Sequence, residues 1–172
     1  MKYSQVALIG FPGAGKSTVA PVLAQRLGFT AVDADRVIIE RSQYPSIPAI
    51  FETLGESTFR QLETSVLQSL AGTPRIVIAT GGGSVTRPEN TSSLKNGGSV
   101  LVFLHAPLPE LRRRLGDCSQ RPVIRGAGGI DTLYHARYPL YCAHADITVE
   151  TMHKDINAIC DEIIQALEVW KT

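Results

Sequence analysis

Short apolar runs and longer amphipathic stretches alternate along this chain. The apolar runs are rich in β-branched residues and predict buried strands, at residues 6–9, 29–32, 76–79, 100–104 and 147–149. Apolar positions with helical spacing lie between the runs and predict helices, at residues 16–27, 48–54, 57–70, 108–115, 133–145 and 154–169. This alternation predicts an α/β fold in which helices cover both faces of a parallel sheet.

Two stretches depart from the alternation. Residues 35–68 place helical segments in succession around two prolines, where a crossover between parallel strands needs only one helix. We therefore expect a substrate-covering insertion there. Residues 116–129 are rich in glycine, carry Arg121 and Arg125 and contain almost no apolar residue, a composition that predicts a mobile, arginine-bearing lid.

Length and charge limit the classes of protein to consider. The chain has 172 residues, 44% of them hydrophobic, which is enough for one core, so we expect a single domain over residues 1–172. The net charge of +1 provides no overall field that would draw the protein to nucleic acid or to a membrane surface. No apolar run approaches the length of a membrane span. We expect a monomeric, cytoplasmic protein.

Cysteine and histidine spacing gives no sign of a structural metal or of a disulfide framework. Cys118, Cys142 and Cys160 are odd in number and far apart, without a CxxC pair. The four histidines fall on different predicted elements. We therefore expect reduced thiols and no zinc site.

The first predicted strand leads directly into Gly-Phe-Pro-Gly-Ala-Gly-Lys-Ser at residues 10–17, a complete GxxxxGKS phosphate-binding loop. Backbone N–H groups of such a loop surround phosphate oxygens, and the following helix directs its positive end at the same anion. Lys16 would contact the β- and γ-phosphates, and Ser17 would bind Mg²⁺. An ordinary glycine-rich turn is the alternative, but the strand before and the helix after favour a nucleoside triphosphate site. The predicted contacts are Gly13, Ala14, Gly15, Lys16, Ser17 and Thr18.

Two carboxylates follow the second predicted strand. In an extended segment, Asp33 and Asp35 would point to the same side, toward the phosphate loop. Asp33 would then hold Mg²⁺ through water, and Asp35 would accept a hydrogen bond or a proton from an attacking hydroxyl. The alternative is that Asp35 only caps a helix that begins at Arg36.

Three consecutive glycines, Gly81, Gly82 and Gly83, follow the third predicted strand. Their entropic cost indicates close approach of a ligand to the backbone, although a flexible turn is the alternative.

The arginines are ambiguous on their own. Arg60 follows Glu56 by four residues and could form an ordinary surface pair, whereas residues 112–114 could be one solvated helix face. Pro139 is expected to interrupt the helix around Arg137, which would fix the local geometry there.

Six ordered segments resemble the shikimate kinase family, from near the N-terminus to about residue 151. They are GFPGAGKS, VDADR, IFETLGESTFRQLE, ATGGGSV, the Arg121-Pro122 pair and ARYPLY. The resemblance implies a three-layer P-loop NTPase fold of the nucleoside monophosphate kinase type. It implies a five-stranded parallel sheet with a helical substrate-binding insertion and a lid. It also implies transfer of the γ-phosphoryl group of ATP, with Mg²⁺, to the 3-hydroxyl of shikimate.

The resemblance also implies a role for each matching residue. Asp35 would bind the shikimate hydroxyls and orient the nucleophile, and Arg60 and Arg137 would bind the carboxylate with help from Gly82. Asp33 and Ser17 would serve Mg²⁺. Arg121 would reach the transferring phosphoryl group from the lid, and Arg114 would lie near the adenine. Phe51, Phe59 and Glu63 also match positions that line the substrate pocket of the family, and the backbone of Gly81 and Gly83 is expected to contact the substrate as well.

The sequence departs from the family pattern in two places. One extra residue separates Asp35 from Glu40, and Tyr44-Pro45 stands where the family has a glycine, so the first helix of the insertion is expected to be re-registered. The lid is also expected to be short. Two other functions remain open at this point: a kinase for gluconate or another small hydroxy acid, and a regulatory module that binds nucleotide without turnover.

Overall fold

A five-stranded parallel sheet organises the molecule. The computed structural model describes residues 3–116 and 122–170. The strand order across the sheet is β2-β3-β1-β4-β5. The strands are β1 (Gln5–Ile9), β2 (Thr30–Asp33), β3 (Ile76–Ala79), β4 (Ser99–His105) and β5 (Ile147–Glu150). The parallel α/β sheet that the sequence predicted is confirmed.

Eight α-helices flank the sheet within the described residues. They are α1 (Lys16–Leu27), α2 (Ala34–Ser42), α3 (Ile47–Leu70), α4 (Pro88–Asn96), α5 (Leu108–Leu115), α6 (Pro122–Gly126), α7 (Ile130–His144) and α8 (Ile156–Val169). Helix α1 packs against α8 and the strands, while α4 packs against α3 and β4. None of the helices in the described part of the chain is long and apolar enough to cross a membrane.

The centre of the sheet explains the apolar runs in the sequence. All five residues of β1 are buried, and the central residue Ala7 lies between Ile78 of β3 and Leu101 of β4. A strand with paired neighbours and helices on both faces has no solvent side, so its sequence is continuously apolar and does not alternate. The predictions for α1 and β3 match the structure residue for residue, and β2 lies one residue later than predicted.

The beginning of the insertion differs from the prediction. Helix α2 begins at Ala34, so Asp35 lies inside the helix. The prediction that Asp33, Ala34 and Asp35 form an extended segment was therefore wrong. The capping alternative for Asp35 was wrong too, because Asp33 is the N-cap: its Oδ1 accepts from the N–H groups of Asp35 (3.0 Å) and Arg36 (3.3 Å). The break predicted between helices at 48–54 and 57–70 is confirmed, because α3 has a kink with non-helical backbone at Gly55 (φ 78°, ψ 167°).

Two further differences concern the second half of the chain. Residues 116–129 were predicted to contain almost no apolar residue that could anchor them. Helix α6 lies in this segment and Ile124 is buried there, so the prediction was wrong for this part of the lid. Pro139 does not interrupt its helix, since α7 continues to His144. Helix α4 was not predicted, because the buried side of this polar segment consists of Asn90, Thr91 and Leu94 and lacks an apolar stripe.

Candidate active site

The chemistry-bearing turns follow neighbouring strands at one edge of the sheet. Leu8 of β1 is paired with Ala79 of β3, which is in turn paired with Asp33 of β2. The phosphate loop, Asp33 and the triple glycine therefore leave the sheet side by side. The carboxyl edge of a parallel sheet is where ligands bind in this class of fold.

The phosphate loop presents an open helix N-terminus. No side chain caps α1, and no acidic residue lies in its first turn, so the positive end of the helix is available to an anion. Gly13 and Gly15 have φ values of 85° and 97°, which residues with a side chain rarely adopt. The buried Lys16 ammonium donates to the carbonyl oxygens of Gly10 (2.7 Å) and Phe11 (3.1 Å), which holds its charge against the loop.

A cavity of about 400 Å³ opens over this loop, and we call it the nucleotide cavity. Its lining includes the predicted residues Gly13, Gly15, Lys16, Ser17, Thr18 and Arg114. Ala14 is not part of the lining, because its side chain is buried and its N–H donates to the carbonyl of Phe11 (3.1 Å). The Arg114 guanidinium donates to Thr151 Oγ1 and to the Thr151 carbonyl oxygen (both 3.1 Å). Those bonds fix it at the cavity wall.

A second cavity of about 260 Å³ adjoins the first, and we call it the acceptor cavity. The polar part of its lining consists of the predicted substrate residues Asp35, Arg60, Glu63, Gly81, Gly82, Gly83 and Arg137. The apolar part, which we call the apolar wall, includes the predicted Phe51 and Phe59 together with Ile47, Pro48, Val123, Ile124 and Leu133. A ligand with one hydrocarbon face and several polar groups fits such a cavity.

Arg60 is held firmly in the acceptor cavity. It is 7% exposed, donates to Glu63 Oε2 (2.7 Å) and to Glu56 Oε1 (3.2 Å), and lies over the Phe59 ring at 5.1 Å. The Glu56 pair that the sequence indicated therefore exists, with Glu56 exposed and the Arg60 end buried. A methyl group built at Gly83 would come within 2.6 Å of the central guanidinium carbon, so the glycine is required for this packing.

Arg137 reaches the same cavity from α7 and is 5% exposed. Burial and the nearby charge of Arg60 lower its pKa. Within the described part of the chain it forms no ion pair, whereas Arg60 has two carboxylate partners. Two guanidinium groups thus converge on one cavity, and their combined charge favours a carboxylate ligand.

Two carboxylate oxygens in this cavity lack a hydrogen-bond partner among the described residues. They are Asp35 Oδ1 and Glu63 Oε1, and both are buried. A methyl group built at Gly81 would lie 3.1 Å from the first and 2.5 Å from the second, so the two oxygens converge on this glycine. Burial, followed by the charges of Glu63 and Asp33, raises the pKa of Asp35 to about 6. Buried acceptors of this kind require a donor, which a hydroxyl group of a ligand supplies.

Asp35 lies where the two cavities meet. Pro12, Asp35 and Gly82 line both of them. The triple-glycine turn and the phosphate loop are in close contact there, because a methyl group built at Gly82 would lie 2.6 Å from Pro12 Cδ. A hydroxyl bound to Asp35 therefore faces the phosphate loop.

Ser17 and Asp33 line a third cavity of about 480 Å³ beside α1 and α2. A hydroxyl and a carboxylate are hard oxygen donors, and Mg²⁺ in phosphoryl-transfer sites takes few protein ligands, so this pair fits the ion. Both capping bonds of Asp33 use Oδ1, which leaves Oδ2 for a metal-bound water. The described residues hold no cluster of three or more His, Cys, Asp or Glu side chains suited to a metal.

Buried polar groups, which sequence reasoning missed, support the triple glycine. The Ser84 hydroxyl donates to Thr80 Oγ1 (3.0 Å), and the Asn90 amide donates to the Ser84 carbonyl (2.9 Å). The Tyr141 hydroxyl donates to the Gly82 carbonyl. Of these, Tyr141 carried a sequence signal through its place in the Arg-Tyr-Pro-Leu-Tyr segment. Arg121, the predicted lid residue, lies outside the described residues.

The comparisons with known proteins agree with this site. A family model described as shikimate kinase matches residues 12–168. Among relatives named shikimate kinase, one from Burkholderia lata is 39% identical and covers 97% of this chain and 91% of its own length. Another, from Synechococcus sp. strain RCC307, is 44% identical over 93% of this chain and 82% of the relative.

Solved structures show the same likeness. Shikimate kinase from Acinetobacter baumannii in complex with shikimate superposes with a TM-score of 0.89 at 33% identity, covering 98% of this chain and 95% of that one. Shikimate kinase from Aquifex aeolicus gives a TM-score of 0.82 at 34% identity, with coverages of 95% and 96%. The chain belongs to the shikimate kinase family.

Proposed function

We propose that this chain transfers the γ-phosphoryl group of ATP to the 3-hydroxyl of shikimate, giving shikimate 3-phosphate and ADP for aromatic amino-acid (chorismate) biosynthesis. The observation that carries the proposal is the junction of the two cavities. A cavity with two guanidinium groups, and with two carboxylate oxygens that lack a hydrogen-bond partner among the described residues, meets an open phosphate loop at Asp35. Family membership supports the same reaction.

Shikimate matches the acceptor cavity group by group. Its carboxylate pairs with Arg60 and Arg137, and its hydroxyls donate to the unpartnered oxygens of Asp35 and Glu63. The hydrocarbon part of its ring packs against the apolar wall around Phe51 and Ile124. Gluconate, the main alternative acceptor, has a linear chain with a hydroxyl on almost every carbon and leaves that wall without an apolar partner. This wall favours shikimate.

Asp35 then orients the nucleophile. The 3-hydroxyl oxygen forms a bond to the γ-phosphorus as the bond from that phosphorus to the β,γ-bridging oxygen breaks, and ADP leaves with the electron pair. The hydroxyl proton passes to the Asp35 carboxylate. Because the pKa of Asp35 is raised to about 6, the carboxylate is ionised at neutral pH and is more basic than an ordinary aspartate.

The phosphate groups are bound by the loop. The N-terminal end of α1 and the Lys16 ammonium neutralise charge that develops on the leaving group. Ser17 and Asp33 would hold Mg²⁺, which would supply positive charge to neutralise the phosphates. The roles of Arg121 at the transferring group and Arg114 at the adenine stay predictions, as do the monomeric state, the cytoplasmic location and the single-domain organisation.

An initial-rate assay of ADP release tests the proposal. With Mg²⁺ and ATP present, we expect shikimate to stimulate release strongly over a low basal hydrolysis rate, because the acceptor hydroxyl replaces water. Gluconate at the same concentration is the matched control. Equal rates with and without shikimate contradict the proposal, and stimulation by gluconate alone favours the alternative kinase. A regulatory module without turnover shows no ADP release under any condition.

A further inference from the structure

Tyr141 interacts with two residues that line the acceptor cavity, Gly82 and Arg137. The side chain is 1% exposed, and its ring stacks on Phe103 with a centroid separation of 5.1 Å. Its hydroxyl donates to the carbonyl oxygen of Gly82, in the triple-glycine turn. Arg137 lies four residues earlier on α7, so its buried side chain and that of Tyr141 are neighbours on one face of the helix, and the two groups interact electrostatically.

The direction of hydrogen bonding at Tyr141 is fixed by elementary chemistry. A phenol has one proton, and a backbone carbonyl can only accept, so the Tyr141 proton is directed at Gly82. Its oxygen lone pairs are then left for Arg137, which has donors only. A relay in which the guanidinium donates to the phenol oxygen while the phenol donates to the Gly82 carbonyl would fix the position of Arg137 relative to Gly82.

Such a relay would hold Arg137 without neutralising it. Burial raises the pKa of Tyr141, so the phenol stays protonated and uncharged at neutral pH. Arg60, by contrast, is bound by the carboxylates of Glu63 and Glu56. Glu63 acts on Arg137 through its charge but forms its ion pair with Arg60, so the charge of Arg137 is compensated less than that of Arg60.

We propose that Tyr141 is a positioning residue that aims the guanidinium of Arg137 at the carboxylate of the acceptor. The inference rests on the proposed function, because the carboxylate in question is that of shikimate. It predicts that the Tyr141 hydroxyl affects recognition of the carboxylate and leaves the nucleotide site unchanged.

The test compares wild type with Tyr141→Phe, which keeps the ring and removes the hydroxyl. KM values are measured for ATP, for shikimate and for shikimate methyl ester, an acceptor without the negative charge. We expect the KM for shikimate to rise about tenfold, as for loss of a hydrogen bond to a charged group. The KM values for the ester and for ATP should change less than about twofold, within the effect of ordinary surface substitutions.

Tyr138→Phe is the matched control, because it removes a hydroxyl from the same helix at a position that is 38% exposed. It should leave all three KM values unchanged. Thermal unfolding of both variants is followed in parallel, and the ester-to-shikimate ratio of KM does not depend on the amount of folded enzyme. In an Arg137→Ala background, Tyr141→Phe should have no further effect on shikimate.

Two results overturn the proposal. An unchanged KM for shikimate in Tyr141→Phe means that the hydroxyl does not position Arg137. An equal rise for shikimate and for the ester means that the hydroxyl only maintains the cavity. Wild-type enzyme that does not phosphorylate shikimate overturns the proposed function and this inference with it, whereas active wild type with either result above overturns only the role of Tyr141.

Discussion

Replacing Asp35 by asparagine should make the protein more stable and inactive. In the folded state this carboxylate is buried close to Glu63 and Asp33, which raises its pKa from 3.8 to about 6. The folded state therefore holds the proton more tightly than the unfolded chain does. Stability associated with this group is present at pH below 4 and is lost as the pH rises through 6.

The size of the effect follows from the two pKa values. Each pH unit of difference corresponds to about 1.4 kcal/mol, so keeping Asp35 ionised at pH 8 costs the native state about 3 kcal/mol. The neutral amide of Asp35→Asn does not carry this cost, and its N–H₂ group can donate to the unpartnered Glu63 Oε1. For a chain of this length, a gain of 2–3 kcal/mol raises Tm by about 5–10 °C.

The assay is thermal unfolding of wild type and Asp35→Asn at pH 8 and at pH 4.5, combined with initial rates. We expect the gain in Tm at pH 8 to fall to about a third at pH 4.5, because the carboxyl is then protonated in the folded state but still mostly ionised in the unfolded chain, where its pKa is 3.8. The kcat should fall by about 10²- to 10⁴-fold, the usual contribution of a general base.

Asp33→Asn is the matched control for stability. Asp33 is the N-cap of α2, and asparagine caps helices about as well as aspartate, so Tm should change little. The reasoning is refuted if Asp35→Asn shows no gain at pH 8, or if its gain is the same at pH 4.5. Full activity of Asp35→Asn would refute its catalytic role separately.

Three further predictions concern pH, the loop contact and the insertion. The kcat/KM for shikimate should fall below pH about 6, because Asp35 becomes protonated there. Glu63→Gln should move this fall to lower pH, because the charge of Glu63 raises the pKa of Asp35. A pH profile that does not move would contradict the assignment of this fall to Asp35. Gly82→Ala should raise the KM values of both substrates, since the added methyl would lie 2.6 Å from Pro12 Cδ; wild-type values in steady-state kinetics would show that the contact yields freely. Gln43→Gly should raise the free energy of unfolding in urea by about 0.5–1 kcal/mol, because Gln43 ends α2 at φ 61°; a loss of stability would argue against strain at this cap.

The parts of the fold that were predictable depend on local patterns. The phosphate loop and α1 follow from a motif in which each glycine and the lysine have a defined place, and Gly28 ends α1 at φ 68° as the sequence suggested. The central strands follow because burial on both faces imposes a continuous apolar run. These features need only neighbouring residues for their explanation.

The remaining features depend on tertiary contacts. Helix α4 escaped prediction because Asn90, which is fully buried, is stabilised by its bond to the Ser84 carbonyl and not by hydrophobic periodicity. The positions of Asp33 and Asp35 were misjudged because a helix can begin at the last residue of a strand, where Asp33 caps it. The apolar wall of the acceptor cavity combines side chains of α3, such as Phe51, with side chains of α6 and α7, such as Ile124 and Leu133. No pattern within any of these segments indicates that they meet.

The most direct measurement is a crystal structure of the protein with ADP, Mg²⁺ and shikimate bound together. The account predicts that the shikimate carboxylate lies within hydrogen-bond distance of both Arg60 and Arg137. It also predicts that the 3-hydroxyl contacts Asp35 and faces the phosphate loop. A complex in which Arg137 points into solvent, or in which the carboxylate lies outside the acceptor cavity, would contradict the account.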